Sequence, residues 1–164
     1  SYLSGMFFSP TSYYILLIFF LVVGMNFLIY IIPKSGVSII FFVLFAILTL
    51  YTQDVGVLGA KKILLFLIMG LVFELVFLIL KIHLHSIPLD IILGTTASFT
   101  ILPILNAFLI APRLARNFPL ELINIILISF VAGFTSACLT FLAWDLAKGT
   151  KYVVKLQIYL KRKL

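Results

Sequence analysis

The sequence predicts an all-α, polytopic membrane bundle of five transmembrane helices, with six as the alternative, followed by a basic amphipathic helix at the C-terminus. The first observation is composition: 64% of the 164 residues are apolar and 10% are charged, against about half and about a quarter in a soluble domain. Twelve basic and five acidic residues cannot cover the surface of a soluble fold of this size, so lipid must solvate most of it. The second is the presence of apolar runs longer than about 18 residues, the length that crosses a hydrocarbon layer. The third is total length, since five or six spans with connections use the whole chain and leave no room for a water-soluble catalytic domain. Residues 1–149 form the bundle on this reading and residues 150–164 a basic tail at the cytoplasmic surface.

The first span is predicted from about Tyr13 to Ile32, with Ser12 and Thr11 after Pro10 as caps and Pro33-Lys34-Ser35-Gly36 as the terminating turn. The second, about Val37 to Thr52, is shorter and is followed by a loop at Gln53-Asp54-Val55-Gly56. The third begins near Leu58, carries Lys61 and Lys62 in its first turns, contains Glu74 and continues to Lys81. The fourth, about Pro88 to Ala111, is the most polar in its centre, as expected of a helix that faces protein or a cavity. Splitting it at Pro103 is one route to six spans, but each half is short for a crossing. The fifth starts at Pro119 with Glu121 near the positive end of the helix dipole and ends around Trp144 to Lys148. In Thr150 to Leu164, Lys151, Lys155, Lys161, Arg162 and Lys163 alternate with Tyr152, Leu156, Tyr159 and Leu160. This pattern predicts a helix lying on an anionic leaflet, or a solvated tail that holds the C-terminus inside.

Cationic residues set the orientation. Counted through five spans, Lys34, Lys81 and six residues from Lys148 onward share one side, and Lys61, Lys62, Arg113 and Arg116 the other. This predicts a multi-pass protein of the cell membrane with a cytoplasmic C-terminus and an external N-terminus.

Few residues are candidates for chemistry. Glu74 is the one charge deep inside a span, where an ionisable group costs about 2.5–3.5 kcal/mol on insertion scales unless it is partnered. It is a candidate for solute, proton or cation binding, or for a hydrogen bond to the next helix. Thr95, Thr96, Ser98, Thr100 and Asn106 in the fourth span suit either the lining of a small-molecule pocket or interhelical packing. Ser129, Gly133 and Ala137 form a small-residue series for close helix contact, flanked by Ser136 and Thr140, and Gly24 with Asn26 is a comparable feature in the first span. His83 and His85 flank Leu84 in a short loop, with no third ligand evident, and read as a surface pair.

Cys138 is the single cysteine, which excludes a disulfide framework, an iron–sulfur cluster and a cysteine-based zinc site. Both histidines sit at one helix end, which argues against two axial haem ligands. No GxSxG, HExxH or phosphate loop occurs, nor a pair of intramembrane aspartates. No enzyme activity, cofactor, metal or nucleic-acid partner is expected.

Residues Leu50-Tyr51-Thr52-Gln53-Asp54-Val55-Gly56-Val57-Leu58-Gly59-Ala60, then Gly70-Leu71-Val72-Phe73-Glu74-Leu75, then Val131-Ala132-Gly133-Phe134-Thr135-Ser136-Ala137, resemble the S component of energy-coupling-factor transporters, their substrate-binding membrane subunit. The resemblance covers about two thirds of the chain and implies a helical bundle that binds a vitamin or similar micronutrient and works with a coupling protein and ATPases. The family has six helices, and the small-residue motif of its first helix is not found in Tyr13 to Ile32. The competing expectation is a non-catalytic accessory or scaffold subunit of a larger membrane assembly such as a respiratory complex, which suits seventeen phenylalanines and scarce polar side chains. The two differ in whether Glu74 and the Thr95 to Asn106 group converge on a cavity.

Overall fold

Four helices have the length and composition to cross a membrane, spanning Ser12–Ile31, Ala60–Leu80, Leu89–Phe108 and Leu120–Ala147, and the chain is an all-α integral membrane protein. The computed structural model describes residues 10–52, 59–80, 83–84, 87–109, 119–151, 153–155 and 159. In chain order the elements are α1 (Pro10–Ile31), α2 (Val37–Leu48), α3 (Ala60–Leu80), β1 (His83–Leu84), β2 (Ile87–Pro88), α4 (Leu89–Leu109) and α5 (Pro119–Ala147).

The helix starts and stops follow local chemistry with a few corrections. Pro10 is the first residue of α1, a position its fixed φ and missing N–H suit, so Thr11 and Ser12 lie inside the helix instead of capping it. Gly36 turns the chain with φ of 89° into α2. That helix stops at Leu48, short of the predicted Thr52, and the Thr49 amide closes it by donating to Phe45 O at 3.0 Å. Twelve residues make about 18 Å of helix, against a hydrocarbon layer of about 30 Å. Composition predicted the apolar run; it could not show that the helix would stop at Leu48. Gly59, with φ of 70°, precedes α3. Pro103 lies inside an unbroken α4, so the fourth segment is not divided.

β1 and β2 pair antiparallel, His83 opposite Pro88 and Leu84 opposite Ile87, and lead into α4. His83 is therefore on extended backbone, while His85 lies outside the described residues. So does most of the predicted tail helix: Lys151, Lys155 and Tyr159 are helical, and Lys161, Arg162 and Lys163 lie outside.

The helices form a ring in the order α1, α5, α4, α3, α2, with extensive packing between successive members and sparse contact where α2 returns to α1. First and last helices run parallel: Tyr14 hydroxyl and Ser129 Oγ are 3.0 Å apart at one end, and Tyr30 stacks on Trp144 at 5.4 Å at the other. We call these the Tyr14 end and the Trp144 end. Phe42, Phe66 and Phe99 fill the centre, with ring centroids 5.8 Å apart for Phe42 and Phe66 and 5.9 Å for Phe42 and Phe99. Leu127, Phe130, Val131, Phe134, Leu139 and Leu142 of α5 are exposed, the outward apolar surface expected of a lipid-solvated helix.

Small residues set the closest approaches. A Cβ on Gly70 would stand 2.9 Å from Ile39 Cα, so only glycine lets α2 lie this near α3. Gly133 gives α4 the same access to α5, since its Cβ would meet Phe99 Cβ at 3.3 Å. The Ser129, Gly133, Ala137 series thus packs within its own chain, with Ser129 buried against Tyr14 and Ala137 in the core.

Candidate functional site

Glu74 lies on α3, 7% exposed, and faces the start of α2. Its Oε1 accepts from Gly36 N–H at 2.7 Å and from Ser38 Oγ at 2.7 Å. The carboxylate therefore caps a neighbouring helix from outside, where free amides and the positive end of the dipole favour negative charge. At the opposite end of α2, fully buried Lys62 donates through Nζ to Thr49 O at 2.5 Å, Thr52 O at 3.1 Å and Thr52 Oγ1 at 3.3 Å. Lys62 stands near the positive end of its own helix, an unfavourable place that the carbonyls of α2 explain. The second oxygen, Glu74 Oε2, is buried with no hydrogen-bond partner.

The hydroxyls predicted on α4 do not meet Glu74. Thr96 donates to Ile92 O, Thr100 to Thr96 O and Ser98 to Gly94 O, each within 2.7–2.9 Å and one turn back along their own helix. Ser98 Oγ is also 3.0 Å from Met69 O on α3, a tie between two helices. Asn106 lies toward the Tyr14 end of α4, four turns from Asp90. Thr95 is different: its Oγ1 donates to Asn26 Oδ1 of α1 at 2.8 Å and sits 2.7 Å from Ile91 O.

That contact belongs to a region where, among the described residues, buried polar groups gather without all being satisfied. Asn26 is fully buried and its Nδ2 has no partner. Thr95 has one proton between two acceptors, so whichever way the amide is turned one polar atom of Asn26 stays unmet. One turn on, the Tyr30 hydroxyl is buried with no partner, within electrostatic range of Asp90 and Cys138. Asp90, 3% exposed, opens α4 and accepts the Ile91 amide at 2.9 Å. Trp144 of α5, stacked on Tyr30 and edge-on to Phe27 at 6.1 Å, walls the group. A buried unmet donor or acceptor costs about 1–3 kcal/mol, and this pair is held one turn apart in an apolar interior.

Sequence reading placed Thr95 and Asn26 in separate groups and gave no site role to Tyr30, Asp90, Trp144 or Lys62. A signal existed for Tyr30 and Asn26, which are four residues apart and therefore on one face of the first span. Among the described residues no three His, Cys, Asp or Glu side chains come together as a metal-ion site.

A second feature lies at the sparse α1–α2 seam. A groove of about 370 Å³ runs between Leu16, Leu17 and Phe20 of α1 and Phe41 and Phe45 of α2, with Tyr13 at its mouth.

No protein-family model, curated protein sequence or solved structure matches this chain.

Proposed function

We propose that this chain is the small-molecule binding subunit of a multi-subunit uptake transporter of the cell membrane, taking a vitamin or similar micronutrient. The observation that carries the reading is the meeting of Asn26, Tyr30, Asp90 and Trp144, where two buried polar groups lack partners beside a buried carboxylate and a large aromatic ring. An occupant with both hydrogen-bonding groups and a flat face would satisfy them, which is the usual make-up of small-molecule sites. In this reading the Trp144 end and the C-terminus face the cytoplasm, a side that the excess of lysine and arginine there supports. The group is then the inward station, from which an imported solute leaves. The basic tail rests on anionic lipid or a cytoplasmic partner, and a coupling protein with ATPases supplies the work. Glu74 and the α4 hydroxyls, which the sequence offered together as a solute site, do not converge, and this counts against a site there; in this reading Glu74 is the cap of α2 and the solute site is the group around Asn26 and Tyr30.

The accessory-subunit reading has one observation in its favour: Phe42, Phe66 and Phe99 occupy the centre of the ring, as in a bundle that contributes contact faces. Purification from native membranes in mild detergent, followed by identification of bound solutes and co-purifying chains, separates the two. An ATPase pair with a bound polar aromatic solute supports uptake. Oxidase or dehydrogenase subunits with no solute overturn it in favour of the accessory role.

A further inference from the structure

The polar group at the Trp144 end has a sign as well as a composition. Asn26 of α1 meets Thr95 of α4 at 2.8 Å. Because α1 and α4 run in opposite directions, Tyr30, one turn beyond Asn26, lies opposite the first turn of α4, which Asp90 opens. Asp90 is 3% exposed, so its carboxylate acts through an apolar interior, where charge is felt more strongly than in water. The positive end of α4 offsets roughly half a unit of that charge. The buried cation among the described residues is Lys62, at the far end of α2 on Thr49 and Thr52. Phe27, Tyr30 and Trp144 contribute ring faces, which attract positive charge.

The amide of Asn26 adds to the same sign. Thr95 Oγ1 stands 2.8 Å from the amide and 2.7 Å from Ile91 O, and its single proton serves one of them. With the amide oxygen toward Thr95, one of the two contacts has no proton. With the amide nitrogen toward Thr95, Nδ2 donates to Oγ1, Oγ1 donates to Ile91 O, and both bonds are made. The second arrangement turns the Asn26 oxygen to the buried position that has no partner. The group then offers an occupant a carbonyl oxygen, the Tyr30 hydroxyl, a carboxylate and aromatic faces.

We propose that this group takes an organic cation with N–H donors and a flat face, of the amidinium or protonated aromatic amine class. The proposal rests on the solute-binding reading above and narrows it. The N–H groups fill the places at Asn26 and Tyr30, and Asp90 matches the charge. An anion of the same shape is repelled by the carboxylate and the ring faces and brings no hydrogen for the Asn26 oxygen, so the group discriminates against it.

Trp144 is the single tryptophan of the chain, so tryptophan emission reports on this group directly. The full chain in phosphatidylcholine nanodiscs is titrated with benzamidine, benzamide and benzoate, which share a ring and nearly a shape and are positive, neutral and negative at neutral pH. The expected result is a saturable change in Trp144 emission with benzamidine, at a dissociation constant about ten-fold or more below that of benzoate, with benzamide between them. Equal affinities, or tighter binding of benzoate, overturn the proposal and leave the solute-binding reading standing. Asp90→Asn keeps an acceptor for the Ile91 amide and should bring the three probes within about two-fold of one another; a preference for benzamidine that persists in this variant overturns the assignment to this group. No saturable response to any of the three also overturns the proposal. The solute-binding reading falls with it only if purification from native membranes yields no bound solute.

Discussion

Lys62 and Glu74 stand twelve residues apart on α3 and grip opposite ends of α2, the lysine at its terminal carbonyls and the glutamate at its first amide and Ser38. Twelve helical residues span about 18 Å, the same as the length of α2 itself. A helix leaves unpaired groups at both termini, and here the neighbouring helix supplies a matching charge to each.

Removal of either charge should destabilise the bundle in proportion to the hydrogen bonds lost. Glu74→Leu is expected to cost about 2–3 kcal/mol and Glu74→Gln about 1, because glutamine can still accept from Gly36 and Ser38 without the charge. Lys62→Met should cost about 2 kcal/mol on the same grounds. Unfolding in mixed micelles as a function of denaturing detergent gives the differences. Since the two ends are about 18 Å apart, the double variant Lys62→Met with Glu74→Gln should show the sum of the single effects within about 0.5 kcal/mol; a large discrepancy would mean that the ends do not act independently.

Two glycines predict a contrast. Gly70→Ala places a carbon 2.9 Å from backbone at Ile39, which can yield only if α2 moves, whereas Gly24→Ala meets the far edge of the Phe41 ring at 3.3 Å. The first should cost about 2–3 kcal/mol and the second less than about 1. Thermal unfolding of the two variants, followed by intrinsic fluorescence, tests the order, and equal losses would contradict it.

For the polar group at the Trp144 end, Tyr30→Phe removes a hydroxyl that lacks a partner, and Asn26→Leu removes an unmet amide nitrogen together with an oxygen whose donor, Thr95, keeps Ile91 O as acceptor. Without an occupant, such changes leave stability level or raise it. With a bound solute, each should reduce the retained solute about ten-fold, equivalent to about 1.4 kcal/mol, while the apo protein unfolds at an unchanged or higher temperature. Unaltered retention in both variants would remove these residues from the site.

Deletion of Thr150 to Leu164 should weaken association of the reconstituted chain with anionic surfaces. Basic residues near such a surface contribute about 1 kcal/mol each at low salt, so the loss should shrink as ionic strength rises. Co-sedimentation of nanodisc-embedded protein with phosphatidylserine vesicles at two salt concentrations measures it.

Much of the architecture was legible because hydropathy and length report directly on membrane crossing: α1, α3, α4 and α5 lie where apolar runs predict them. The extent of α2 was not, because its end is set by Lys62 reaching Thr49 and Thr52 from another helix, a tertiary contact with no local signature. A signal did exist in retrospect, a twelve-residue apolar helix beside a lysine and a glutamate twelve apart. The candidate site was half legible. Asn26 and Thr95 stand out as polar residues in apolar runs, but their pairing joins positions 69 residues apart, and no periodicity within one helix reports it. Glu74 was conspicuous for its rarity, and rarity indicates that a partner is needed without naming Gly36 and Ser38.

The parallel pairing of α1 with α5 has a consequence for synthesis. Tyr14 waits for Ser129, 115 residues later in the chain, which at about 5–20 residues per second is roughly 6–23 seconds of elongation. Meanwhile α2, α3 and α4 can associate as sequential neighbours, while α1 stands in the bilayer with Asn26 short of its lasting companions. Closure of the ring thus waits for α5, and until that helix arrives the nascent chain presents an open arc to whatever insertase holds it.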